Sequence, residues 1–206
     1  MKYWIFDLDG TLVNSFAPFF EFIEKRIGKP LSETQRKQYV AQPAQLSLSE
    51  HLTPEKVTEA LIELDKQNTR DADLIKPFEH IPSVISHLHG QGRKISICTS
   101  RDLKSASLLV ERTGLGKYID HLISGDCVKV KKPDPEGLLK IQSLYKCAIT
   151  EMVMIGDHDC DVEAGKNAGT LSIRASWHKH WDDGKCHVAD KQFFCDHEFY
   201  KWVKSV

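Results

Sequence analysis

The sequence predicts an α/β fold, a parallel sheet flanked by helices and interrupted by a helical insert. Five short apolar, partly β-branched segments recur, at residues 3–6, 95–98, 121–124, 152–155 and 171–173. From the second onward they alternate with helical patterns, as βαβ units around a parallel sheet do. Between the first two segments, residues 16–76 carry helical periodicity and no convincing strand.

The first segment, Tyr3-Trp4-Ile5-Phe6, stops on Asp7-Leu8-Asp9-Gly10-Thr11. Phe16, Phe19, Phe20, Ile23 and Ile27 then recur at helical spacing. Thr53-Pro54 reads as a helix start, and Val57, Ala60, Leu61 and Leu64 form its apolar face. Residues 16–76 thus read as one helical insert, with residues 1–15 and 77–206 forming the α/β core. In that core, residues 102–113 open on an N-cap-type aspartate and close at Gly114. Residues 134–145 follow Pro133 and align Leu138, Leu139, Ile141 and Leu144. A shorter helix is expected over 161–168, ending at Gly169. No repeat, low-complexity tract or long linker breaks the chain.

The 206 residues suffice for one domain carrying a small insertion. A hydrophobic content of 41%, a charged content of 28% and a net charge of -1 suit a soluble globular protein. They give no support to a nucleic-acid or acidic-membrane partner. No apolar run has the length of a membrane span, and Asp7 and Asp9 interrupt the early apolar run where a signal peptide would need one. A cytoplasmic protein is expected. Cys98, Cys127, Cys147, Cys160, Cys186 and Cys195 form no CxxC pair and read as free thiols, Cys98 as a small buried residue in a strand.

Three of the expected strands end on polar groups: Asp7 to Thr11, Thr99-Ser100-Arg101, and Gly156-Asp157-His158-Asp159-Cys160-Asp161. Ligands bind beyond the carboxyl ends of strands in open α/β sheets, so the three clusters should share one crevice. Before the fourth strand lies Lys131-Lys132-Pro133. Each element has a structural alternative: Thr99 as a helix-entry residue, Lys132 as a solvated lysine, Asp157 or Asp161 as a helix cap. Asp7 and Asp9, one residue apart, would crowd each other unless a cation or a proton intervenes. Together, a magnesium ion and a phosphate group explain the set, with carboxylates holding the metal and lysine and threonine binding phosphate oxygens.

These residues resemble, in order, the four signature motifs of the haloacid dehalogenase (HAD) superfamily: the DxDGT at Asp7 to Thr11, the strand-terminal Thr99, the lysine Lys132, and the GDxxxD of Gly156, Asp157 and Asp161. The likeness extends to subfamily I with its helical cap and to phosphoglycolate-phosphatase-like members. It implies a Rossmann-like core with the insert as an α-helical cap. It also implies that Asp7 attacks phosphorus to form a phosphoaspartate, while Asp9 first protonates the leaving oxygen and then activates water. Magnesium would be held by the Asp7 side chain, the Asp9 backbone carbonyl and the Asp157 side chain. Asp161 would act from behind these ligands or through water and orient Lys132. Thr99, Ser100 and Lys132 would bind the phosphoryl group. Ser100 stands where many relatives have Asn, and His158 replaces a common Ser or Thr, placing a titratable ring beside the metal. The segment Val40-Ala41-Gln42-Pro43 lacks the glycine of many cap loops, which counts against a simple phosphoglycolate assignment.

The resemblance implies a magnesium-dependent phosphatase acting on a small phosphorylated metabolite. The alternatives are a phosphomutase of the β-phosphoglucomutase type and a non-catalytic binding module. A dehalogenase would leave Asp9 without a task. Lys25, Arg26 and Gln42 are candidate cap contacts, each with an alternative as a solvated surface residue. The tail residues His178, His180, Cys186, His187, Cys195 and His197 fit no zinc-ligand spacing. Trp177, Trp181, Phe193, Phe194 and Phe199 suggest instead a loop and helix packed on the core.

Overall fold

The structure, a computed structural model, describes residues 1–40, 42, 44–70, 72–178 and 186–206. Its strands are β1 (Tyr3–Phe6), β2 (Val13–Asn14), β3 (Lys76–Pro77), β4 (Lys94–Cys98), β5 (His121–Ile123), β6 (Met152–Gly156), β7 (Leu171–Ala175) and β8 (Lys191–Phe193). Its α-helices are α1 (Phe16–Ile27), α2 (Glu33–Val40), α3 (Ala44–Ser49), α4 (Pro54–Arg70), α5 (Ile81–Gly90), α6 (Leu103–Arg112), α7 (Glu136–Tyr145), α8 (Asp159–Ala168) and α9 (Asp196–Val203).

Six strands form one parallel sheet in the order β5-β4-β1-β6-β7-β8. Counted along the sheet's own strands this is 3-2-1-4-5-6, the doubly wound order whose switch point lies between the first and fourth strands. Here that point falls between β1 and β6. Phe6 stands level with Ile97 of β4 and Ile155 of β6, so these three strands deliver their following residues to one edge.

Alternation along the strands separates two apolar layers. Trp4, Phe6, Ile95, Ile97, Val153 and Ile155 pack against α5, α6 and α9, whereas Tyr3, Ile5, Met152 and Met154 meet Leu138 and Ile141 of α7 and Ala164 of α8. Fully burying side chains of this size contributes about 1.5–3 kcal/mol each. Helices α1 to α4 bury a cluster of their own, including Phe20, Ile23, Tyr39, Leu48, Val57 and Leu64. The chain leaves for these helices and returns through the short antiparallel pair of β2 and β3, Val13 opposite Pro77 and Asn14 opposite Lys76.

The structure corrects the sequence reading in three places. Helix α8 starts at Asp159, not at residue 161, because the His158 ring accepts the Cys160 N–H at 3.2 Å and the Asp161 carboxylate accepts the His158 N–H at 2.9 Å. A sixth strand, β8, extends the sheet. In the tail, Phe193, Phe199 and Trp177 pack together, with Phe199 at 5.3 Å from each of the other two rings, but Phe194 is exposed. Neighbours in an extended segment point to opposite sides, and Phe193 has taken the inner one. His180 and Trp181 lie outside the described residues. The six cysteines are free thiols, and Cys98 is buried at the end of β4. Among the described residues no helix is long and apolar enough to cross a membrane.

Candidate active site

After Phe6 the backbone turns tightly, with the Gly10 N–H donating to the Val13 carbonyl and the Leu12 and Val13 N–H groups both donating to the Leu8 carbonyl. Gly10 has φ +77°, and a Cβ there would lie 2.0 Å from an Asp157 oxygen. Only glycine supplies both the backbone conformation and the space. Gly156 serves the same end at the close of β6, where a Cβ would lie 2.2 Å from Asp161. The two glycines thus let the first and last polar clusters meet.

Asp7, Asp157 and Asp161 are buried and bring oxygens within 4.8 Å of one another. Lys132 lies between them, its Nζ 2.5 Å from Asp7 Oδ1, 2.5 Å from Asp161 Oδ1 and 3.0 Å from the Cys98 carbonyl. It donates hydrogen bonds to Asp7 and the Cys98 carbonyl and forms an ion pair with Asp161. Burial pushes the Asp7 carboxyl up, Lys132 opposes that, and the Asp161 and Asp9 charges push further up, to about 7. Burial, followed by the charges of Asp7 and Asp161, holds Asp157 well above the usual carboxylate range. Burial alone would lower Lys132, but Asp161 and Asp7 raise it well above its ordinary value. One ammonium among three buried carboxylates leaves excess negative charge, and an all-oxygen donor set of this kind fits a hard divalent cation. Thr11 adds a hydroxyl that donates to Asp157 Oδ1 at 3.2 Å.

Asp9 faces a different partner. The Arg101 Nε donates to its Oδ2 at 2.9 Å and Nη2 to its Oδ1 at 2.5 Å, a bidentate pair. Burial pushes the Asp9 carboxyl up, yet the Arg101 charge and hydrogen bonds more than reverse this and leave it lowered. Thr99 is buried at the end of β4, its hydroxyl accepting the Arg101 N–H at 3.2 Å. Ser100 is exposed at the same edge.

These groups line a chamber of about 290 Å³ that includes Asp7, Thr99, Lys132, Asp157 and Asp161. The insert contributes Phe16, Val40 and Gln42 to it. Of the three cap contacts expected from sequence, only Gln42 reaches the chamber. Arg26 pairs with Glu63 and lies over the Phe22 ring, 3.8 Å from its centroid, while Lys25 is exposed. Ala41 and Pro43, on either side of Gln42, lie outside the described residues. Sequence reasoning gave no role to Arg101, Thr11 or Arg174. Arg101 was signalled by its position directly after Thr99-Ser100. Arg174, at the end of β7, pairs with Asp159 at 2.7 Å and pulls on the Asp157 charge.

The family profile of the haloacid dehalogenase-like hydrolases matches residues 4–175. The chain is 31% identical over 170 residues to the pyrophosphatase PpaX of Halalkalibacterium halodurans, covering 80% of this chain and 79% of that one. It is 27% identical over 182 residues to the phosphoglycolate phosphatase of Aquifex aeolicus, covering 86% and 85%. Among solved structures, a candidate β-phosphoglucomutase from Thermotoga maritima superposes with a TM-score of 0.80 at 24% identity, covering 100% of both chains. That last likeness is one of fold.

Proposed function

The chain belongs to the haloacid dehalogenase-like hydrolase family, and from that premise we propose that it is a magnesium-dependent phosphatase hydrolysing a small phosphomonoester through a phosphoaspartate. The observation that carries this reading is the convergence of Asp7, Asp157 and Asp161 on Lys132 beside Thr99. The core would be residues 1–15 and 77–206, and residues 16–76 the cap.

Asp7 is the nucleophile: its free oxygen attacks phosphorus as the alcohol oxygen leaves. Lys132 holds Asp7 by the other oxygen, which fixes the carboxylate for in-line approach. Once Asp7 is phosphorylated its carboxylate charge is gone, so a Lys132 N–H can turn to a phosphoryl oxygen. Thr99 accepts from the Arg101 backbone, leaving its own proton for another phosphoryl oxygen, with Ser100 beside it. Asp161 fixes Lys132 from behind. Asp7, Asp157 and the Asp9 backbone carbonyl would hold magnesium, which neutralises charge on the phosphoryl oxygens.

Asp9 protonates the leaving oxygen and later takes a proton from the water that cleaves the phosphoaspartate. In the state described, Arg101 keeps Asp9 ionised, and each Asp9 oxygen retains a second lone pair that can carry the proton for the acid step while the pair stays joined. Acid quenching during turnover tests the scheme: a hydroxylamine-sensitive acyl phosphate should be trapped on wild type and be absent from Asp7→Asn. Turnover of an aryl phosphate without any such adduct would overturn the covalent route.

A further inference from the structure

Beyond the phosphoryl chamber lies a second cavity of about 420 Å³, large enough for a small organic group. The two share Asp9, Phe16, Gln42, Ser100 and Arg101 at their junction. If Asp9 protonates the leaving oxygen, that oxygen sits at the junction and the rest of the alcohol extends into the outer cavity. The outer walls are largely apolar: Phe16, Phe19, Tyr39, Leu61 and Leu64 all come from the insert.

Charge in the outer cavity is one-sided. Its described lining carries three carboxylates, Asp9, Asp65 and Asp102, against the single guanidinium of Arg101. That guanidinium is committed to Asp9 through both arms of its fork. Asp102 caps α6 through the Ser105 N–H and stands next to Arg101. The insert's Arg26 and Arg36 are spent elsewhere, on Glu63 and Glu24. An anionic group entering here would meet apolar walls and carboxylates with no uncommitted cation among the described lining residues, and burying an uncompensated charge is costly. Turning Arg101 toward such an anion would strip Asp9 of its partner. An uncharged group meets no such penalty, and an ammonium gains the aromatic faces of Phe16, Phe19 and Tyr39.

We propose that this outer cavity selects a phosphomonoester whose alcohol is uncharged or amine-bearing and partly apolar, and rejects one whose leaving group carries a second anion. The inference rests on the phosphatase reading and sets the chain apart from relatives named for pyrophosphate and phosphoglycolate, both of which carry that second anion. It also counts against a phosphomutase, whose bisphosphorylated intermediate needs a second phosphate site.

The test compares kcat/KM for propyl phosphate, 2-aminoethyl phosphate, phosphoglycolate and pyrophosphate at fixed ionic strength and saturating magnesium, with p-nitrophenyl phosphate as reference. Propyl and 2-aminoethyl phosphate should exceed the two anionic substrates by about tenfold or more. Asp65 is exposed at the cavity rim, so Asp65→Lys is compatible with folding, and it should raise the phosphoglycolate to propyl phosphate ratio by about threefold. Equal or better turnover of phosphoglycolate or pyrophosphate by wild type would overturn the proposal, as would a ratio that Asp65→Lys leaves unchanged. Failure to hydrolyse p-nitrophenyl phosphate at all would instead overturn the phosphatase reading beneath it.

Discussion

At the strand ends, Lys132 is buried, donates to Asp7 and a backbone carbonyl, and pairs with Asp161. In the insert, Arg26 on Glu63 and Arg36 on Glu24 are half-buried cations, each with a single carboxylate partner. The first arrangement locks each side chain through several partners in a low-dielectric site, where small displacements are expensive. The second leaves the insert's inward face to aromatic and aliphatic groups, which can change shape without disturbing a charge network. On the proposed function, the core holds one chemistry fixed and the insert tolerates change in what it encloses.

The largest effect that would break this contrast is at Asp7. Asp7→Asn keeps the shape and the Lys132 contact but removes charge and nucleophilicity, so phosphate release should fall to background while circular dichroism stays unchanged. Excess chelator should abolish wild-type turnover, and added magnesium should restore it. Residual turnover in the variant comparable with wild type would show that the core does not carry the chemistry. Next comes Asp9→Asn, with an expected loss of about a hundredfold to ten-thousandfold. Its backbone carbonyl remains, so stabilisation by magnesium should persist. A loss of only a few fold with a poor leaving group would transfer the proton step to another residue.

Stability gives the third measure. Lys132→Met would leave Asp7 and Asp161 buried without their ammonium, and removing one partner of a buried pair costs about 3–5 kcal/mol. Arg26→Met, which removes a half-buried cation from the exposed Glu63, should cost about 1 kcal/mol or less by urea denaturation. Similar costs for both would dissolve the distinction.

Without magnesium, the crowded carboxylates should also make stability depend on pH. Asp7 stands at about 7 and Asp157 above its usual range, both raised first by burial. A carboxyl raised in the folded state contributes stability that is complete below its unfolded value, about 4, and lost as pH climbs through the folded value. The lowered carboxylates Asp9, Asp102 and Asp120 act in the opposite sense, with their contribution lost only below about 4. Chelated protein should therefore lose several degrees of Tm between about pH 5 and about pH 8, with magnesium restoring more at the upper end. A flat chelated profile with equal magnesium effects at both ends would mean that these carboxylates are not crowded in solution.

Legibility in the sequence followed the same division. Residues at the ends of β1, β4 and β6 could be named because a strand end fixes where the next residue goes, and because Asp, Gly, Thr and Lys in those places satisfy few other demands. The cap contacts could not, since Lys25 and Arg26 lie on a helix whose facing is decided by tertiary packing of Phe20, Phe22 and Ile23. Arg101 was visible but unassigned: nothing local says that it will reach back to Asp9, 92 residues away in sequence. The start of α8 was misplaced because histidine is not a usual N-cap, and β8 was missed because three residues of mixed polarity give no periodic signal.

The smallest effects should come from the insert, and they sharpen the contrast most. Gln42 lines both chambers from the segment joining α2 and α3, with its amide donating to Ser47 and Glu50. Leu61 lines only the outer one. Neither touches the Asp7–Lys132 network, so Gln42→Ala and Leu61→Gln should leave hydrolysis of p-nitrophenyl phosphate within about twofold, while shifting its ratio to alkyl phosphates by about threefold to tenfold. Arg26→Ala, whose side chain is spent on Glu63 and Phe22, should shift that ratio by less than about twofold. A larger shift from Arg26 than from Gln42 would mean that the insert closes over the substrate with a different face. The same enclosure predicts poor activity on folded phosphoproteins and polynucleotides, which cannot enter a cavity of about 420 Å³. Dephosphorylation of a folded phosphoprotein at the rate of the best small substrate would show that the insert does not act as a lid, and the contrast between a fixed core and a selecting cap would fall with it.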